Sequence, residues 1–219
     1  MQQIALSVKG GMIMKRNLSL FFVTFIIVTL LGLGCDNSIE PELNENQSKP
    51  QVKLRSSYRG LSVKHIQSIP HISIREKKDW GFWGHSTIDR DYEVKTINGD
   101  KVVIDQATGL IWHQSGSTDY IKWSYAKEWV RNLNQRGYAG YSDWRFPTVE
   151  EAASLLESSK KNNILYIDPV FNKKQEWIWT GDSYDSNNAW SADFVGGGVL
   201  TCHVDDGSYV RPVRSGHVK

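Results

Sequence analysis

Apolar positions along this chain recur with two different periods, and the period names the element. Tyr92–Ile97 and Lys101–Asp105 are short, β-branched runs on either side of Asn98-Gly99, the strongest short-range hairpin signal. Thr108-Gly109 turns the chain into a third apolar stretch, Leu110-Ile111-Trp112. Over Ala126, Trp129, Val130 and Leu133 the spacing becomes i, i+3, i+4, i+7, with Lys127, Glu128 and Arg131 on the other face, which predicts an amphipathic helix. Gly137 and Gly140 end it and bracket a tight loop. Pro147 and Thr148-Val149-Glu150-Glu151 announce a second helix, because an N-cap hydroxyl and a Glu three residues on satisfy each other's backbone N–H groups. Its apolar stripe is Ala152, Leu155 and Leu156. Strand patterns return at Glu176–Thr180, Ala189–Val195, Val199–Val204 and Tyr209–Val213, with reversals at Gly196-Gly197-Gly198 and Asp205-Asp206-Gly207. Two helices between a leading hairpin and a trailing meander make an α+β domain with a mainly antiparallel sheet over residues 90–216.

The pattern fades upstream. Residues 58–89 hold short apolar clusters (Ile66, Ile69, Ile72, Ile74, then Trp80, Phe82 and Trp83) and read as an irregular lead-in packed on the domain. Residues 35–57, with Pro41, Pro50 and many Asn, Gln and Ser, read as a solvated tether whose reach is roughly 25 Å. Leu18–Leu33 carries no charge and follows Lys15-Arg16, the pattern of a secretory signal over residues 1–34, with Met14 the expected start. Its 16 residues are short for a membrane span, which takes about 20. Leu31-Gly32-Leu33-Gly34-Cys35 resembles the lipobox of bacterial lipoproteins, although Gly32 stands where Leu is commonest. That resemblance implies that the Cys35 thiol takes a diacylglycerol and becomes the mature N-terminus. More than one acyl chain then holds the protein stably at a membrane. The expected location is the bacterial cell envelope, at the periplasmic face or the cell surface. Asp36 resembles an inner-membrane retention residue of some bacteria, and the choice of membrane stays open.

Composition narrows the function. With 40% hydrophobic and 23% charged residues, the chain is neither disordered nor fibrous, and nine Trp among 219 residues is exceptional. The formal charge of +2 includes Lys9, Lys15 and Arg16; without the first 34 residues 23 basic and 24 acidic side chains remain, a net −1. No global field is left to drive nucleic-acid binding. Two cysteines allow at most one bridge, and lipidation of Cys35 leaves Cys202 alone. Cys202 and His203 are adjacent in a strand and point to opposite faces, which argues against a metal there.

An ordered set of motifs runs through the domain: Asp105-Gln106-Ala107-Thr108-Gly109-Leu110-Ile111-Trp112, Gly140-Tyr141-Ser142-Asp143-Trp144-Arg145-Phe146-Pro147-Thr148, Trp177-Ile178-Trp179-Thr180, Ala189-Trp190 and Tyr209–Arg214. The set resembles the Lcl C-terminal domain family over roughly residues 90–215. The resemblance implies a C-type-lectin-like fold, which also houses formylglycine-generating enzymes. Those enzymes bind copper through a pair of thiols, and this chain lacks the pair after lipidation. The family's namesake, a collagen-like bacterial surface adhesin, uses the domain as a trimeric binder of sulfated glycosaminoglycans. No collagen-like region stands here to drive trimerisation.

The residues themselves read first as structure. Asp105 with Thr108 and Gly109 suits a turn capped by a carboxylate, and Trp112, Trp129, Trp144 and Trp190 suit a core. Arg145, between Trp144 and Phe146, is expected partly buried and paired with Asp105 or Asp143. Ligand-binding candidates are Trp177 and Trp179, which share a strand face, Tyr184 on the following loop, and Arg211 and Arg214 as part of a basic cluster. Exposed rings stack on sugars whereas buried rings belong to a core, and periodicity leaves that choice open. The proline signature of calcium-dependent sugar binding is absent, while Asp182, Asp185 and Asn187 offer a loop of oxygen ligands that makes a weak calcium candidate. The expectation is a lipoprotein without cofactor or catalytic residues that binds a glycan or a protein. The alternative is a structural component of envelope assembly, and the third is a formylglycine-generating-like enzyme.

Overall fold

The computed structural model describes residues 52–161 and 163–216; the signal segment, Cys35 and the tether up to residue 51 lie outside the described residues. In chain order the elements are α1 (Val63–Ile66), β1 (Ile72–Lys78), β2 (Gly81–Ser86), β3 (Tyr92–Ile97), β4 (Asp100–Asp105), β5 (Leu110–His113) and β6 (Ile121–Lys122). There follow α2 (Trp123–Gln135), α3 (Val149–Ala153), β7 (Trp177–Ser183), β8 (Asn188–Asp193), β9 (Gly198–His203), β10 (Gly207–Ser208) and β11 (Val213–Ser215). The strands form a five-stranded sheet in the order β1-β2-β9-β8-β7, a four-stranded sheet β11-β5-β4-β3 and a short β10-β6 pair, with all neighbours antiparallel. The α+β class read from the pattern is the class of the fold. Among the described residues no helix is long and apolar enough to cross a membrane.

Two hydrophobic clusters share the four-stranded sheet. Val103, Leu110 and Trp112 face the first, together with Phe82, Ile178, Ala192 and Val199 of the five-stranded sheet and Val149, Ala152 and Ala153 of α3. Val102, Ile104 and Ile111 face the second, with Ala126, Val130 and Leu133 of α2 and with Trp144, Phe146 and Trp179. Both faces of β4 and β5 are therefore buried, which is why these strands read as unbroken apolar runs rather than alternating ones. α3 packs on β7, β8 and β9 of the five-stranded sheet, and α2 follows directly from β6.

Residues 58–89 depart from the irregular lead-in expected of them: they form α1 and the β1–β2 hairpin, and β2 pairs with β9 inside the main sheet. Two features disguised the hairpin. β1 is an edge strand carrying Arg75, Glu76, Lys77 and Lys78, as edges that avoid aggregation do. β2 contains Gly81 and Gly84, which look like breakers; a Cβ at Gly84 would stand 2.6 Å from the Ser73 carbonyl oxygen, so glycine is required for the strands to approach. The tether also ends earlier than composition suggests, because Val52 donates its N–H to Ala107 O at 3.0 Å and Arg55 is held by two carboxylates.

Tyr209–Val213 is not a single strand. Tyr209 bonds to both Trp177 and Trp179 of β7 at 2.9 Å, whereas Val213 pairs with Trp112 in β5 and bridges Arg145, so the segment crosses from one sheet to the other. The second helix starts as expected, with the Thr148 hydroxyl accepting the Glu151 N–H at 3.2 Å and the Glu151 carboxylate accepting the Thr148 N–H at 2.8 Å. It is a single turn, and Leu155 and Leu156 are buried beyond its end.

Candidate functional site

A cleft of about 520 Å³ lies between α2 and the loop that leads into α3. One wall is a helical stripe: Lys127, Val130, Arg131, Asn134 and Gln135 follow one another at three- and four-residue steps and share a face of α2. Val130 belongs to the buried stripe, so the cleft runs along the edge where the apolar face meets the polar one. The opposite wall is Tyr58, Ser142, Arg145 and Phe146, with Trp144 behind. Three cations line the cleft, and two of them have acidic partners outside its lining: Arg131 pairs with exposed Glu128 at 3.2 Å and Arg145 with buried Glu151.

Each wall is locked from behind. Arg145 makes a two-pronged pair with Glu151, at 2.7 and 2.6 Å, and Glu151 is fully buried at the α3 cap. This corrects the expected partner of Arg145: Asp105 is taken by Arg90, and Asp143 is taken by Arg214 at 2.7 and 3.1 Å. The pairing pins α3 rather than the first hairpin, since the helix start brings its own carboxylate within reach. Tyr58 donates its hydroxyl to Phe146 O at 2.9 Å and lies on Gly181, where a Cβ would come within 2.2 Å of the ring. Burial pushes the Tyr58 phenol up to about 12, so it stays a neutral donor. Lys127 sits 3.5 Å over the Trp123 ring, and burial lowers its pKa.

Tyr58 is delivered to the cleft by a clamp that sequence reading missed. Asp182, fully buried, accepts both terminal nitrogens of Arg55 at 2.9 and 2.8 Å, the Arg59 N–H at 2.8 Å and the Val149 N–H at 2.7 Å. Arg55 also pairs with Glu150 at 3.2 Å. A lone Asp in a Gly-Asp-Ser stretch carries no signal for a partner 127 residues away.

The remaining residues singled out from sequence are placed as follows. Asp182 is saturated inside the fold. Asp185 accepts from Asn187 N and Asn188 N at 2.8 Å, a turn-closing arrangement that lowers its pKa chiefly through the Asn187 bond. Asp182, Asp185 and Asn187 therefore do not converge as calcium ligands, and among the described residues no three His, Cys, Asp or Glu are grouped to hold a metal. Trp179 is 0% exposed and donates its indole N–H to Ile121 O at 2.6 Å, so it offers no ring to a ligand. Trp177, two residues earlier on the same face, is half-buried and stands directly opposite Asp193 of β8. Tyr184 is 42% exposed and stands edge-on to Trp190 at 5.6 Å.

The two arginines are corrections as well. Arg211 is 0% exposed; its terminal nitrogens donate to Gln114 O and Asn172 O, and burial drops its pKa to about 9. Arg214 is buried, lies 3.8 Å over the Tyr141 ring and pairs with Asp143. Both staple the crossing segment and neither reaches a surface cluster. Of the motif residues, Asp105 accepts the Thr108 hydroxyl at 2.6 Å and the Ala107 N–H at 3.1 Å and so closes the turn that Gly109 completes. Trp112 and Trp190 are fully buried, and Trp144 donates to Tyr138 O at 3.0 Å. Trp129 is only half-buried, at the margin of the second cluster.

The groups able to do chemistry sit away from the cleft. Burial raises the Cys202 thiol to about 11, which keeps it protonated and unreactive at neutral pH. His113 accepts Gly116 N at 2.8 Å and Ser115 N at 3.2 Å through Nδ1 and stacks on Tyr138 at 4.1 Å; burial lowers its pKa to about 3.

The family model described as the Lcl C-terminal domain matches residues 101–214, from β4 to β11. No curated protein matches the chain. Arg55, Tyr58 and the β1–β2 hairpin precede the matched region, so the arginine of the clamp and one ring of the cleft wall come from outside it, while Asp182, Glu150, Ser142, Arg145 and Phe146 lie within it.

Proposed function

This chain belongs to the Lcl C-terminal domain family, and on that premise we propose that it is a non-enzymatic binding module, held in the bacterial cell envelope by a lipid on Cys35, that takes a glycan or protein ligand. The observation that carries the reading is the cleft: concave, floored by Val130, Trp144 and Phe146, and rimmed by Lys127 and by Arg131, whose exposed partner Glu128 lies outside the lining, with Arg145 held by Glu151 behind it. Such a wall suits a chain bearing sulfate or carboxylate groups, with cations for the anions and the Tyr58 ring for the sugar or peptide between them. Binding rather than turnover is supported by the state of the reactive groups. The thiol is protonated, the imidazole is buried as an acceptor in a turn, and the Arg145–Glu151 pair is spent on the α3 cap.

The test is a titration of the full chain, in detergent, against a heparin-derived hexasaccharide and an acidic peptide of equal charge, with and without calcium. Binding of either is expected to weaken at least tenfold in the double variant Lys127→Glu/Arg131→Glu and to fall steeply with salt. Equal affinity in the double variant, or no binding of either probe, overturns the cleft as the ligand site. The anchor is tested separately. Cys35→Ala is expected to abolish metabolic labelling with a fatty acid, and continued labelling refutes it.

A further inference from the structure

Directly opposed residues of antiparallel strands point to the same face, so the register puts Trp83, Gly198, Asp193 and Trp177 in one row across β2, β9, β8 and β7. The adjacent row, Phe82, Val199, Ala192 and Ile178, points the opposite way into the first core cluster. One step farther along, on the same face as Trp83, the row Leu200, Ser191 and Trp179 is roofed by other parts of the chain. There Trp179 bonds Ile121, and the Ser191 hydroxyl meets that of Ser208 at 3.3 Å. The roof stops before Trp177. Trp83 and Trp177 are half-buried, and Tyr120, 6.2 Å from the Trp177 ring and 4.2 Å from Tyr209, is 47% exposed. Trp80 extends the row at the far end, edge-on to Trp83 at 5.1 Å.

The glycine turn is the floor of this row. A Cβ on Gly196 or on Gly198 would stand 2.5 Å from the Trp83 ring, so the indole rests directly on backbone. Asp193 sits at the centre. Its Oδ1 accepts Val195 N at 2.7 Å and Gly196 N at 3.0 Å, and Trp177 is its directly opposed neighbour on β7. Glu176 closes the other end, 3.5 Å from the Tyr120 hydroxyl. Lys160 is the cation that approaches Asp193, and it also faces the Tyr166 ring at 5.7 Å across the turn.

We propose that this row is a second binding subsite, separate from the cleft, that takes the ring faces of an uncharged glycan chain. Three strand spacings separate the Trp83 and Trp177 backbones by about 14 Å, and the Trp83 indole leans into that span over Gly196 and Gly198, so the rings offer neighbouring stacking faces along it. Aromatic faces receive the apolar C–H faces of sugars, and the half-buried Glu176 carboxylate accepts hydroxyl protons, while buried Asp193 holds the turn beneath the rings. Lys160 offsets Asp193, and Arg75 and Lys160 both face the Tyr166 ring, so the row has carboxylates and cations together and no cationic excess to favour an anionic chain. Leu200 is the one aliphatic side chain in the row and its roofed neighbour that is half-buried, too little to centre a protein interface. The proposal rests on the reading of the domain as a binding module and adds a site whose surface is aromatic rather than cationic.

The experiment titrates the full chain with a panel of uncharged hexasaccharides (glucan, chitin, mannan and galactan fragments) beside the heparin-derived one. At least one uncharged member is expected to bind with little salt dependence. Its affinity should fall roughly tenfold in Trp177→Ala and several-fold in Tyr120→Ala, and stay unchanged in Lys127→Glu/Arg131→Glu. Tyr120→Ala removes an exposed ring, and Gly196→Ala crowds only the side chains of Trp83 and Asp193, so both report on the row should Trp177→Ala fail to fold. No binding by any uncharged member overturns the proposal, as does binding that survives both milder variants or a proline-rich peptide competing for the row in place of sugar. Heparin binding alone, lost only in the cleft variant, also overturns the row and leaves the cleft reading standing. Uncharged binding lost only in the row variants, with no heparin binding, upholds the row and removes the anionic cleft.

Discussion

The cleft and the aromatic row lie at opposite ends of β7 and are assembled by opposite means. At the Gly181 end, long cationic side chains of a helix stripe face a loop, and the facing wall is completed by a tyrosine brought in by the clamped segment upstream of α1. At the Trp177 end, strand register alone sets the side chains in line, and glycines let a ring lie on the backbone. The cleft therefore depends on a few long-range polar contacts, whereas the row depends on the ladder of the main sheet. Charge differs too: exposed Lys127 and Arg131 stand at the rim of one, whereas the other holds a buried carboxylate, Asp193, offset by Lys160. A rim of solvated cations steers a ligand and is sensitive to salt; a rigid aromatic floor is not.

The contrast breaks most sharply at Asp182. Asp182→Ala leaves Arg55 beside a vacated buried position and strips the Val149 and Arg59 N–H groups of their acceptor, which should cost about 4 kcal/mol of folding stability in denaturant titrations. Below the midpoint, affinity for the anionic probe should drop with the loss of Tyr58, while affinity of the row for its sugar stays within twofold. Equal losses at both ends would mean that the two regions are one cooperative site.

Acid separates the regions next. The His113 pKa falls from 6.5 to about 3 in the fold, so the unfolded chain takes up a proton first as pH drops. His113 thus supports the fold fully above pH about 6.5 and progressively less below it, with about 3 kcal/mol lost by pH 4. This histidine packs against Tyr138 and Trp144, behind the cleft. Asp193, in the row, has the opposite sign: burial raises its pKa, so its contribution is present in acid and lost as pH rises through the folded value. Stability measured from pH 7 to 4, with the His113 ring followed by NMR, checks the first term. A ring that titrates at its ordinary pH would sink it.

Sequence exposed what is local. The Thr148–Glu151 capping box, the Asn98-Gly99 hairpin and the helix stripe from Ala126 to Leu133 depend on residues within one turn of each other, and each stands in the structure where it was read. Long-range features were hidden. Period-2 spacing puts Trp177 and Trp179 on one face, but nothing in it marks where the roof over that face ends; the boundary falls between them. Arg211 and Arg214 look like surface cations because burial of a guanidinium needs acceptors from far along the chain, here Gln114, Asn172 and Asp143. The cleft cations were visible as the polar face of α2, which usually means a solvated face; only the packing of Tyr58 and Phe146 against that edge makes it a wall.

The smallest effect tests where the two regions end. Tyr184 is an exposed aromatic close to β7 in sequence, yet it touches neither site: its ring stands edge-on to Trp190, and its N–H bonds Asn188 O at 2.9 Å across the β7–β8 turn. Trp190 does not depend on that contact, since its own indole N–H donates to Leu61 O at 3.0 Å inside the core. Tyr184→Ala should therefore cost no more than about 1 kcal/mol, the worth of one aromatic pair. It should leave both the anionic and the uncharged probe bound with affinities within twofold of the parent. A larger fall for the uncharged sugar alone would extend the stacking surface around the end of β7 and erase the gap between row and cleft. A fall for both probes would instead make Trp190, and the core it anchors, the common support of the two sites.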